Sequence, residues 1–208
     1  YSPGETPDVW PVIIKPDCGQ GGNGIALAHD EEQLAQSLAA IDMPVVVEYL
    51  PGRELTVDCF TNRHGEIVWV GPRTRERVRA GITMRSQSVP LDDDIAAIAS
   101  EINAGLTLRG PWFFQLKQDR DQRWKLLEVS CRIAGTMVAQ RARGVNLPLM
   151  ALHDFMGRAV VPLVTPHVTL IERSLRTRAA TPLQYQRVLR TEERRAGKQG
   201  RSRCSPVH

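Results

Sequence analysis

The chain has 208 residues, 42% hydrophobic and 24% charged, the composition of an ordinary globular protein with material for one good-sized domain or two small lobes, which excludes a fibrous or mostly disordered molecule. No apolar run approaches the roughly 20 residues needed to span a bilayer, and the opening YSPGETPDVW has neither a basic start nor an apolar signal core, so the expectation is a cytoplasmic protein with no membrane partner. The net charge of +4 is unevenly placed: residues 172–208 carry 10 Lys and Arg against 3 Asp and Glu, leaving 17 against 20 in the rest, so the main body is not basic and a nucleic-acid partner is not expected of it.

In chain order, PVIIKP reads as a short buried strand that Pro16 ends, followed by the glycine loop DCGQGGNG and a second short strand, IALA. Asp30 caps a helix in which Leu34, Leu38 and Ile41 recur at helical spacing, with Glu31 and Glu32 at its positive end. PVVVEYLPGRELTVDCFT gives two strands interrupted at Pro51-Gly52, and GEIVWVG continues them across a turn at Asn62 to Gly65. The arginine-rich stretch 73–88 reads as a solvated loop, with reception of an acidic substrate as the alternative. LDDDIAAIASEINAGL is a capped helix ending near Gly105, WFFQLKQDRDQRWKLLEVSCRI is a hairpin turning near Asp121, and TMVAQRARGVNLPLMALHDFMG is a last helix bent or split at Pro148. Antiparallel strands flanked by helices indicate an α+β domain, without internal repeats, over residues 1–170; residues 171–208 read as a basic, disordered tail.

The four cysteines, Cys18, Cys59, Cys131 and Cys204, show no CxxC spacing, so neither a zinc site nor a disulfide framework is expected. His29, His64, His153 and His167 sit in unrelated contexts and read as structural or surface residues.

Two stretches carry chemistry. Gly19, Gly21 and Gly24 satisfy GxGxxG, yet a strand follows where a dinucleotide fingerprint needs a helix, and GK[ST] is missing. A glycine turn between strands can still close backbone N–H groups around phosphate, with Lys15 supplying a cation; a plain hairpin turn remains the alternative. In the hairpin, a tip at Asp121 and Gln122 places Gln115 opposite Glu128, so that Gln115, Lys117, Glu128, Ser130 and Arg132 share one face while Phe114, Leu116, Leu127, Val129 and Cys131 pack behind it. A carboxylate and an amide oxygen on neighbouring strands suit Mg²⁺, and Arg132 suits a phosphoryl group.

With KPDCGQGGNG, VVVEYLPGRELTVD and FFQLKQDRDQRWKLLEVSCRIAGT in this order, residues 10–165 resemble the ATP-grasp superfamily, most closely its carbamoyl-phosphate-synthetase-like branch. The resemblance implies two α+β lobes with mostly antiparallel sheets enclosing a nucleotide cleft. By position it implies that Lys15 contacts ATP phosphates and that the loop Gly19, Gly21, Gly22, Gly24 forms a lid. Glu48, Tyr49 and Leu50 would receive adenine, and Glu54 the ribose hydroxyls. Gln115 and Glu128 would hold Mg²⁺, with Mn²⁺ as the alternative ion, and Ser130 occupies the place of the usual Asn ligand. Arg132, with Lys15, would face the transferred phosphoryl. The implied reaction is ATP-dependent activation of a small carboxylate as an acyl phosphate, then displacement of phosphate by an amine. The family's preceding N-terminal domain is missing from the sequence, so that domain is an expected partner, homo-oligomerisation is among the states the family allows, and a nucleotide-binding module without catalysis is the alternative.

Overall fold

The computed structural model describes residues 1, 5–19, 23–79, 81–165 and 170–172, and the expectations for Gly21, Gly22, His167, Cys204 and most of the tail lie outside them. The described body is α+β. Its first lobe is an antiparallel three-stranded sheet, β1 (Val12–Pro16), β2 (Ala26–Ala28) and β3 (Pro44–Glu48), in the order β2-β1-β3, packed against α1 (Glu31–Ala40). Alternation along β1 puts Val12 and Ile14 in a small core with Ala28 and Leu34, while Ile13 and Lys15 face the other way. Asp30 caps α1 as expected, its Oδ1 accepting the Gln33 N–H at 2.8 Å.

The second lobe is a four-stranded antiparallel sheet, β5-β4-β8-β9, built from β4 (Glu54–Thr61), β5 (Ile67–Thr74), β8 (Gly110–Gln118) and β9 (Trp124–Ser130). One face carries Leu55, Val57, Cys59, Trp112, Phe114 and Leu116, nearly or wholly buried against Ile95 and Ala99 of α2 (Asp93–Leu106). Ile95 and Ala99 are four residues apart, with Ile98 and Ile102 beside them, the stripe by which a helix covers a sheet. Burial also pushes the Cys59 thiol up, Asp58 adding to it, so this cysteine remains a protonated core group.

Three expectations are corrected. Residues 73–88 are not a loop: β5 extends to Thr74, and β6 (Arg77–Arg79) and β7 (Ile82–Gln87) form a hairpin that β10 (Leu170–Glu172) extends in the order β10-β7-β6. Thr83 and Ser86 are buried there and satisfied by the structure: Thr83 Oγ1 accepts from Arg75, and Ser86 Oγ donates to the Thr74 carbonyl at 2.7 Å. The last helix is split, as expected, into α3 (Val138–Ala142) and α4 (Leu147–Phe155), but not at the expected residue. The break falls at Gly144, in the left-handed region at φ +95°, whereas Pro148 sits in the first turn of α4, where its missing N–H costs nothing.

The third correction concerns the hairpin of β8 and β9. Gln115 pairs with Glu128 as expected, but Leu116 pairs with Leu126 and Lys117 with Lys125, so Leu127 is a bulge and the turn spans 119–123. Two consecutive residues of β9 therefore oppose Gln115, and Leu127 lines the cleft beside Glu128 rather than packing behind it. Cys131, also expected in the core, lies beyond the strand and is exposed.

Asp119 fixes that turn: Oδ1 accepts the N–H groups of Asp121 and Arg123 at 2.9 Å each, and Oδ2 accepts Arg123 Nε at 3.0 Å. Burial pushes the carboxyl up, yet the Arg123 backbone and guanidinium and the Asp121 N–H outweigh it and hold it below its usual value. A depressed carboxyl stabilises the fold above its unfolded value of about 4 and loses that contribution as pH falls through the folded one. Protection of the amides of residues 119–123, measured against their intrinsic exchange rates, should therefore fall on acidification below about pH 4, and Asp119→Asn should remove that loss of protection.

Candidate active site

The non-core face of the four-stranded sheet is organised by register into rows that run across the strands. Arg73 pairs with Thr56, Thr56 with Gln115, and Gln115 with Glu128, so these four side chains stand abreast on β5, β4, β8 and β9. The next row holds Arg75, Glu54, Lys117 and Lys125, and the one on the other side holds Gly71, Asp58, Phe113 and Ser130. Farther along, Phe60 and Trp69 turn this face apolar and α4 packs on it through Leu147 and Met150. Gln140 of α3 covers the row of Gly71 and Asp58, while Gln115, Lys117, Lys125 and Glu128 in the other two rows keep exposed surface.

Two hollows meet over these rows. The larger, about 620 Å³, lies between the lobes and is lined by Ile13, Ile25, Val47, Tyr49, Leu50 and Leu127 on its apolar side, and by Lys15, Asn23, Glu48, Glu54, Lys117, Gln115 and Glu128 on its polar side. The smaller, about 460 Å³, continues past Gln115 and Glu128 to Thr56, Arg73, Arg132, Gly135 and Thr136. Gln115, Glu128, Arg75 and Gly81 line both, so the two hollows join at the Gln115–Glu128 pair.

Charges in the site are mutually fixed. The Glu54 carboxylate receives Arg75 Nε and lies 3.7 Å from Lys117 Nζ, and Arg75 reaches on to Thr83 Oγ1 at 3.0 Å and to the Gly81 carbonyl. Glu48, at the end of β3, lies 3.6 Å from Lys125 Nζ on β9, an ion pair between the lobes. Arg73 is 1% exposed and donates through Nε to Asp58 Oδ2 at 2.7 Å; Gln140 of α3 donates to the same oxygen at 2.9 Å and to the Gly71 carbonyl at 2.8 Å. A Cβ at Gly71 would come within 2.6 Å of Gln140 Oε1, so only glycine lets α3 approach this closely.

Of the residues singled out in the sequence, Lys15, Glu48, Tyr49, Leu50, Glu54, Gln115 and Glu128 line the larger hollow together. Gly19 and Arg132 line the smaller one, where the Arg132 guanidinium lies 5.0 Å from the Phe113 ring centroid and donates to the Ile133 carbonyl at 3.3 Å. Gly24 takes φ +74°, a conformation that side chains resist, and turns the chain back toward Pro16. Ser130 shares the strand face of Glu128 but lines neither hollow. Among the described residues no three His, Cys, Asp or Glu side chains gather as a metal cage. Thr56 went unassigned in the sequence, and Arg73, Arg75 and Thr83 were read there only as part of the stretch 73–88, a solvated loop with reception of an acidic substrate as the alternative; the strand signal in that stretch is the polar beat Arg73, Arg75.

A family profile described as ATP-grasp in the biosynthetic pathway with Ter operon matches residues 41–181. Among solved structures, a biotin carboxylase from Campylobacter jejuni, in a beta-gamma-ATP complex, superposes with a TM-score of 0.61 at 20% identity, covering 73% of this chain and 38% of that one. N5-carboxyaminoimidazole synthetase from Staphylococcus aureus, complexed with ADP, gives 0.61 at 16% identity over 78% of this chain and 44% of that one. An L-amino acid ligase from Bacillus licheniformis gives 0.54 at 18% identity over 73% and 40%. The chain thus spans less than half the length of these proteins, and at such identities the likeness concerns the fold.

Breaking the buried ion pair from one side tests how the open rows are held. Asp58→Ala leaves the Arg73 guanidinium buried without its counter-charge and should cost about 3–5 kcal/mol in a urea titration, a large fraction of the stability of a domain this size.

Proposed function

The chain belongs to the ATP-grasp family described as acting in the biosynthetic pathway with Ter operon, and on that premise we propose that it is the nucleotide-binding part of an ATP-dependent carboxylate–amine ligase. The larger hollow would hold ATP, with the purine against Ile13, Ile25, Val47 and Leu127 and beside the backbone of Glu48, Tyr49 and Leu50. Glu54, although it already meets Arg75 and Lys117, keeps carboxylate lone pairs for ribose hydroxyls. Lys15 and the loop from Gly19 to Gly24 would meet the phosphates from the first lobe. Gln115 and Glu128 would hold Mg²⁺, or Mn²⁺ in its place, from the second.

The observation that carries this reading is the direct pairing of Gln115 with Glu128 at the junction of the two hollows. The donor set fits the ion: Mg²⁺ takes one or two carboxylate or amide oxygens from protein and completes its shell with phosphate and water, so a cage of three acids is not needed. When bound, the ion neutralises charge on the phosphate oxygens. The protein's own part is alignment and charge. Lys15 would neutralise phosphate oxygens, and Arg132, held over Phe113, would meet the phosphoryl as it passes to a carboxylate. An amine then displaces phosphate from the acyl phosphate, and no protein nucleophile enters. The acceptor amine and the remainder of the ligase would come from beyond this chain.

A second reading, a nucleotide-binding module without catalysis, is favoured by Ser130, which stands clear of both hollows and leaves only two metal ligands. Calorimetry with Mg·ATP, followed by ADP release in the presence of mixed small carboxylic acids, separates the two: the module gives heat without ADP. For the ligase, Glu128→Gln should lower ADP release by about two to three orders of magnitude while leaving the circular dichroism spectrum and melting temperature unchanged. Unaltered turnover in that variant would remove Glu128 from the metal site.

A further inference from the structure

The smaller hollow has a chemistry of its own. Three arginines, Arg73, Arg75 and Arg132, line it against one carboxylate, Glu128. Two of its polar residues are also unsatisfied: Thr56, 2% exposed, has no partner for Oγ1, and Arg73, 1% exposed, has none for Nη1. Buried polar groups are normally hydrogen-bonded, and a charged donor left unpaired out of water is among the more costly exceptions. These two atoms belong to adjacent residues of one row, and that row continues through Gln115 to Glu128.

We propose that this hollow is the site of the carboxylate substrate and that it selects a compact acid carrying a second carboxylate, bound by Arg73 and Thr56 at the far end of the row while the reacting carboxylate faces Gln115 and Glu128. The proposal rests on the nucleotide reading above, because it is the neighbouring hollow that makes the Gln115–Glu128 end the reacting one. Register sets the spacing: Thr56 stands one strand from Gln115 and Arg73 two, at about 4.8 Å per strand. A diacid of about four or five carbons spans roughly one such interval, and the Arg73 side chain covers the rest. A volume of about 460 Å³ suits a small molecule of this kind rather than a polymer.

The surroundings of Arg73 explain why it can serve as a fixed anion receptor. Asp58 takes its Nε, and Gln140 holds Asp58 in turn, so the guanidinium plane is set before any ligand arrives and Nη1 is left over. Little side-chain freedom remains to be lost on binding. An acid with an apolar tail would leave Nη1 and the Thr56 hydroxyl as they are, and a site built to hydrogen-bond a group discriminates strongly against the analogue that lacks it.

The test is calorimetric titration of the full chain with succinate and glutarate, and with butyrate as a monoacid of matched length, each with and without Mg·ADP. A diacid should bind about tenfold or more tightly than butyrate. Thr56→Val, which keeps strand propensity and shape, should cost the diacid about tenfold and leave butyrate and Mg·ADP titrations unchanged. Arg73→Met should erase the preference; where it fails to fold because Asp58 is left unpaired, Arg73→Met combined with Asp58→Asn removes both charges together and should show the same loss. Equal affinity for mono- and diacid overturns the proposal, as does a Thr56→Val protein with its preference intact, which would mean that the buried atoms hold water only. Binding of neither acid overturns it too, whatever Mg·ADP does. Diacid binding in a protein that ignores Mg·ADP sinks the nucleotide reading instead and leaves the diacid pocket standing.

Discussion

Everything in the second lobe depends on the registration of four antiparallel strands. Side chains alternate strictly along each strand, so a slip of one residue at β4 would carry Thr56 and Glu54 into the α2 core and bring Leu55 and Val57 out to the cleft. The core resists such a slip: Leu55, Val57, Cys59, Phe114 and Leu116 are all at or below 1% exposure, and returning side chains of this size to water costs about 1.5–3 kcal/mol each. Packing on one face thereby determines which polar groups stand abreast on the other. The site rows are a by-product of the hydrophobic core, rigid because the core is.

One irregularity is used within that rigid frame. The bulge at Leu127 corrects the phase between a hairpin tip that turns around residues 119–123 and a sheet in which Gln115 must face Glu128. It also swings an apolar side chain to the cleft beside the Glu128 carboxylate, so the slot between the lobes has a hydrophobic wall from the second sheet as well as the first. A hairpin without the bulge, carrying the tip register onward, would set Gln115 against Leu127 and turn Glu128 to the opposite face.

That bulge shows what a sequence discloses and what it hides. The alternation of Glu128 and Ser130, the capping Asp30, the interruption at Pro51-Gly52 and the turn at Asn62 to Gly65 are local signals, and the elements they mark formed where the local chemistry placed them, although β9 ends at Ser130 and leaves Arg132 beyond the strand. The cross-strand pair was reached through a tip at Asp121 and Gln122 that is one residue out of register, an offset that the unforeseen bulge at Leu127 cancels. The rows were not: joining Arg73 to Gln115 needs the pairing of β5 with β4 and of β4 with β8, and the second of these closes across α2, a connection that carries no register in its sequence. For the same reason the stretch 73–88 resembled a solvated loop. Its arginines are charged, but Arg73 is buried by Asp58, and Asp58 sits fifteen residues earlier on another strand.

The Asp58–Arg73 pair also bears on why the site is built from charge at all. Removing two charges from water is expensive, and replacing a buried pair with well-packed apolar residues is often neutral or stabilising, so stability alone does not explain its presence. What the pair does supply is orientation. A guanidinium anchored through Nε by a carboxylate that Gln140 also grips is held in one plane with Nη1 unpartnered, and Gly71 is the residue that allows α3 to bring Gln140 there. Glu54 does the same for Arg75, whose remaining nitrogens reach Thr83 and Gly81 on the hairpin of β6 and β7. In both cases an acid on β4 aims an arginine in β5 or one residue past its end. The arginines that line the smaller hollow are thus held by the sheet's own rows rather than by flexible loops, as the proposed alignment of phosphate and carboxylate oxygens would require.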